Sequence, residues 1–93
     1  MPFQFQTEQE EDVAVLESVD LQKKLVVHND EVNTFDWVIE TLIEVCKHSM
    51  EQAEQCAYII HYKGKYAVKT GNFPKLKSMK DAITDRGINA TIE

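Results

Sequence analysis

Apolar and polar positions alternate with two different periods along this chain, and the switches between them mark six elements. Residues 21–27, LQKKLVV, are short, lysine-flanked and end in β-branched side chains, which suits a strand. From Phe35 the period changes: Phe35, Val38, Leu42, Val45 and Cys46, with Ile39 and Ile43 alongside, give a broad apolar face at helical spacing. Asn33 or Thr34 can cap that helix, and Asp36 in its first turn suits the helix dipole. Ser49-x-x-Gln52 has the form of a capping box, opening a second helix with the stripe Met50, Ala53, Cys56, Ala57 and Ile60, closed by Lys63-Gly64. KYAVK (Lys65 to Lys69) alternates as a strand does. Asn72 caps a third helix with Pro74 in its first turn; Leu76, Met79 and Ile83 are its stripe and Gly87 its stop. INATIE closes the chain as a last short strand.

The order β-α-α-β-α-β predicts a small α+β domain, a three-stranded antiparallel sheet covered by helices. At 93 residues there is room for one modest core. No apolar run reaches the length of a membrane span, and MPFQFQTEQEED lacks the form of a secretory signal. Cys46 and Cys56 lie within helical stripes, which fits buried free thiols in a reducing, cytoplasmic setting. Neither a membrane nor a nucleic-acid partner is expected.

Charge divides the chain. The net charge is −6, and residues 1–22 hold Glu8, Glu10, Glu11, Asp12, Glu17 and Asp20 with no Lys or Arg. Residues 23–93 hold ten acids and ten bases. The excess therefore belongs to residues 1–22, read as a flexible acidic N-terminal arm, and residues 23–93 form the core domain.

Candidate chemistry concentrates in HNDEVN (His28 to Asn33), between the first strand and the first helix. Asp30 and Glu31 are adjacent, so their side chains point apart and make a poor acid–base pair. There is no nucleophile elbow and no phosphate-cradling glycine loop, and no catalytic residue is expected. His28-x-Asp30, Cys46-x-His48, Cys56 and His61 repeat no close-spaced ligand pair, so no metal or other cofactor is expected. Lys63, Lys65, Lys69, Lys75, Lys77 and Lys80 interleave with Tyr62, Tyr66 and Phe73, as a nucleic-acid face would, yet the acidic chain opposes phosphate binding.

A socket for a positive charge fits better. Asn29 offers an amide oxygen, Asp30 a carboxylate and neutral His61 one ring acceptor, matching the three donors of a primary ammonium. Phe35, Val38, Ala57 and Ile60 supply an apolar well beside them. Pattern alone leaves a plain turn and a core histidine equally open.

The stretch VVHNDEVNTFDWVI, followed some thirty residues on by AxxIIHYKGK, resembles the ClpS family of Clp protease adaptors. The family pattern of a strand ending in Asn-Asp-Asp/Glu, then two helices ending in His-Tyr-x-Gly, matches Asn29-Asp30-Glu31 and His61-Tyr62-Lys63-Gly64. That resemblance implies a non-enzymatic adaptor gripping the free N-terminus and bulky first side chain of a substrate protein (an N-degron). The adaptor would deliver it to an AAA+ unfoldase of the ClpA or ClpC kind, with the N-terminal arm serving delivery. It implies Asn29, Asp30 and His61 as amine-binding residues, and Asn33, Phe35, Val38, Ala57, Ile60 and Ile88 as the side-chain pocket. Two departures stand out: Ala57 where the family usually has methionine, and PKLKSMK (Pro74 to Lys80) in place of an acidic stretch linked to unfoldase docking. A second reading, an interaction module resembling the ribosomal stalk protein's C-terminal domain, shares the element order. It leaves the coincidence of Asn29, Asp30 and His61 unexplained.

Overall fold

The computed structural model describes residues 22–93, so the expected acidic arm lies almost wholly outside the described residues. The elements follow in the expected order: β1 (Lys23–His28), α1 (Phe35–Cys46), α2 (Met50–Lys63), β2 (Lys65–Gly71), α3 (Phe73–Asp85) and β3 (Ala90–Ile92). The sheet is ordered β2-β1-β3 and is antiparallel throughout. Strand β1 is central, so its Leu25, Val26 and Val27 are all buried, which explains a continuous apolar run where an edge strand would alternate.

Each helix starts at a side chain able to accept a backbone N–H. Thr34, and not Asn33, caps α1 by accepting from Trp37 N–H; Ser49 caps α2 by accepting from Gln52 N–H, and Asn72 caps α3 by accepting from Lys75 N–H. Helix α2 ends at Gly64 with φ of 92°, a backbone conformation that glycine adopts without a Cβ clash. Leu42, Cys46, Ala53, Cys56, Ile60, Leu76 and Ile83 close over Leu25 and Val27 to form the core. A fully buried leucine or isoleucine contributes roughly 1.5–3 kcal/mol.

Between Leu25 and Val26 the pairing with β2 slips, from Lys69 to Ala67, leaving Val68 as the extra residue of a bulge. The Val68 carbonyl accepts from buried His48, whose Nε2 lies 2.9 Å away. A carbonyl only accepts, so Nε2 carries the ring proton. Nδ1 of the same ring is buried with no hydrogen-bond partner among the described residues. Burial lowers the His48 pKa first; the Val68 carbonyl opposes this, and nearby Lys69 adds to it. Among the described residues, no helix is long and apolar enough to cross a membrane.

Candidate functional site

The end of β1 is tied to the end of α2. Asn29 N–H donates to the Gly64 carbonyl at 2.8 Å, which brings the turn after β1 alongside His61, less than one helical turn before the Gly64 cap. The same turn is fixed from within by Asp30. Its Oδ1 accepts from the backbone N–H of Val32 and of Asn33, both at 2.9 Å, and its Oδ2 accepts from Asn33 Nδ2 at 2.8 Å. Asn33 Nδ2 also reaches the Gly87 carbonyl at 2.9 Å, fastening this turn to the one between α3 and β3. Trp37 Nε1 donates to Arg86 O at 3.0 Å, and the Arg86 guanidinium sits 5.4 Å over the Trp37 ring, making a second tie between the same regions.

These bonds have an electrostatic consequence. The backbone N–H of Asn33 is the main influence holding the Asp30 carboxyl below the usual carboxylate range; slight burial opposes it, and the Asn33 amide and Val32 N–H add to it. Oδ1 already takes two donors and Oδ2 one, so a carboxylate with about four lone-pair sites keeps one on Oδ2 for a further donor. Asp30 is thus an anion held in one orientation with one free acceptor.

Around it lies a cavity of about 340 Å³, lined by Asn29, Asp30, Glu31, Asn33, Thr34, Phe35, Val38, Ala57, Ile60 and His61. That is the small end of the range for ligand sites, suited to one side chain. Its rim is polar, and its wall includes Ala57 and Ile60, both buried. Phe35 meets His61 edge-on at 5.6 Å between centroids, and Tyr62 packs edge-on against the same imidazole at 5.4 Å. One concave surface therefore presents amide, carboxylate and imidazole acceptors beside an apolar wall, an arrangement that can hold an ammonium with an apolar group attached.

Of the nine residues singled out from sequence, eight line this cavity: Asn29, Asp30, Asn33, Phe35, Val38, Ala57, Ile60 and His61. Ile88 is not among the lining residues; it is buried in the core cluster beside Ile83 and Ala90. Asn33 also lines the cavity, and its side-chain bonds go to Asp30 and Gly87. Glu31 and Thr34 line it too and were passed over. The Asn-Asp-Glu run was a signal for Glu31. Part of the lysine-rich surface is engaged locally: Lys65 pairs with Glu93, Lys77 and Lys80 share Asp81, and Lys69 donates to the Cys46 carbonyl. No cluster of three or more His, Cys, Asp or Glu suited to a metal occurs among the described residues.

Comparison with known proteins gives three findings. Residues 20–91 match the model of the family described as ATP-dependent Clp protease adaptor protein ClpS. The chain is 33% identical over 66 residues to E3 ubiquitin-protein ligase UBR1 of Drosophila melanogaster; the match spans 71% of this chain but only 4% of that much longer protein. The fold is similar to that of Agrobacterium tumefaciens ClpS2 bound to L-phenylalaninamide, with a TM-score of 0.75 and 19% identity, covering 77% of this chain and 94% of that one.

Proposed function

The chain belongs to the ClpS family of Clp protease adaptor proteins, and from that premise we propose that its 340 Å³ cavity receives the free α-amino group and bulky first side chain of a substrate polypeptide. The observation that carries this reading is the meeting of Asn29, Asp30 and His61 on the rim of one cavity walled by Val38, Ala57 and Ile60. An N-terminal ammonium has three donors; the free acceptor on Asp30 Oδ2, the Asn29 amide oxygen and one ring nitrogen of neutral His61 complete its shell. The first side chain then lies against Phe35, Val38, Ala57 and Ile60. ClpS2 was solved with L-phenylalaninamide, an amino acid derivative with a free α-amine and an aromatic side chain, and that chemistry supports the same use here.

Charge-assisted hydrogen bonds contribute roughly 1.5–3 kcal/mol each, and burial of a Leu or Phe side chain roughly 1.5–3 kcal/mol. Association entropy offsets much of the sum, so affinity on the order of micromolar follows. No bond is made or broken: the protein binds and hands over, in the cytoplasm, to an AAA+ unfoldase of the ClpA or ClpC kind. The acidic N-terminal segment serves the hand-over and not the grip. The test is titration of a fluorescent peptide headed by free Phe. Asp30→Ala and His61→Ala each weaken binding about tenfold or more, in line with loss of a charge-assisted bond. Wild-type affinity in both variants would place the amine elsewhere.

A further inference from the structure

A second concave surface, which shares Phe35 with the cavity described above, runs between α1 and α2. One part, about 880 Å³, is lined by Phe35, Asp36, Ile39, Glu51, Glu54, Gln55, Tyr58 and Ile59. The adjoining part, about 430 Å³, adds Glu40, Ile43, Glu44 and Met50 and shares Asp36, Ile39 and Glu54 with the first. The two are one continuous groove.

Its make-up follows from helical spacing. Phe35, Ile39 and Ile43 stand four apart on α1 and form an apolar stripe; Asp36, Glu40 and Glu44, also four apart, form an acidic stripe next to it. Across the groove α2 contributes Met50 and Tyr58, which are 58% and 55% exposed, together with Glu51 and Glu54. Five carboxylates and no basic residue line the groove. Glu44 alone of the five has an ion-pair partner among the described residues, Arg86 at 2.8 Å. Asp36, Glu40 and Glu44 repel one another along α1, as like charges four apart do on a helix. Exposed Met and Tyr beside an acidic row of which only Glu44 is paired among the described residues make a poor surface to leave in water and a good one to cover with a complementary chain.

We propose that this groove docks a basic amphipathic segment of a partner protein, about three helical turns long to match the 12 residues of α1. Its large apolar side chains enter between Ile39, Ile43, Met50 and Tyr58, and its Lys or Arg side chains face Asp36, Glu40, Glu51 and Glu54. A second copy of this chain does not suit the groove, because acids would face acids. The site is separate from the amine cavity; the two share Phe35 alone.

The test uses a twelve-residue amphipathic peptide of Lys, Arg and Leu, N-acetylated so that it offers no free α-amine. Binding is read by fluorescence anisotropy and by amide chemical shifts. The peptide binds wild type, perturbs Ile39, Ile43 and Tyr58, and weakens as salt rises from about 0.1 M to about 1 M, which shortens the screening length from roughly 10 Å to roughly 3 Å. The double variant Glu40→Lys/Glu54→Lys loses about tenfold or more in affinity, whereas Asp85→Lys/Glu93→Lys, with the same change in net charge, stays within about twofold. Equal losses in both double variants, equal binding of a peptide with Ser in place of Leu, or dimerisation of the protein alone through this face would overturn the proposal.

Discussion

Asp30 shows how much one side chain decides here. It closes the turn after β1 by accepting from Val32 and Asn33, it keeps one acceptor site free, and it lines the cavity. An Asp followed by a polar turn is readable in the sequence. That Asn33, three residues on, would spend its amide on Asp30 and Gly87 is not, because the second contact spans 54 residues. Ile88 lies in the core cluster and not on the cavity lining, a choice its sequence leaves open, because an apolar residue just before a strand suits a pocket or a core equally. Ala57 carries the prediction at this scale. Met is three heavy atoms larger, and Phe35, a bulky side chain, lines the same cavity. Peptides headed by Phe or Leu should therefore bind best, and those headed by Ile or Val weakly but measurably. Ala57→Met should cut Ile and Val binding more than Leu binding, by about 1–3 kcal/mol at most. Competition titrations with the four peptides check this; an equal loss for all four would make Ala57 a packing residue and no gate.

At the scale of elements the sequence was a good guide wherever the signal was local. Caps at Ser49 and Asn72, Pro74 in the first turn of α3 and glycine after α2 are local chemistry, and those boundaries fell where expected. Strands were less legible because their ends depend on partners: β2 continues to Gly71 since Lys23 pairs with it, and β3 shrinks to three residues. The bulge at Val68 and its bond to His48 join residues 20 apart and left no mark in the pattern. They do give a pH dependence. The folded-state pKa of His48 is lowered, so the unfolded chain binds the extra proton more readily and stability rises with pH. The His48 contribution is complete above the ordinary histidine value of 6.5 and is lost as pH falls from there through the lowered folded-state value. Thermal unfolding of wild type should show a falling Tm below about pH 6.5, and His48→Gln, which can still donate to Val68, should flatten that limb. An unchanged slope in the variant would assign the acid sensitivity to other groups.

For the whole molecule, charge and fold separate. The six acids of residues 1–20 account for the full net charge of −6, and the cavity is built entirely from residues 29–61. Deleting residues 1–20 should leave affinity for a free-Phe peptide unchanged within error while slowing or abolishing degradation of an N-degron reporter by unfoldase and protease. Loss of peptide binding would instead put that segment in the grip. The central claim is narrower than delivery: the cavity reads a charged α-amine. Acetylating that amine removes the charge and two of the three donors and leaves the first side chain intact. Calorimetric titration of one Phe-headed peptide, with its amine free and then acetylated, is therefore the most direct measurement. The free peptide should bind with affinity on the order of micromolar and the acetylated one at least about a hundredfold more weakly, since two or more charge-assisted bonds are lost together. Equal affinity for the two peptides would contradict the account.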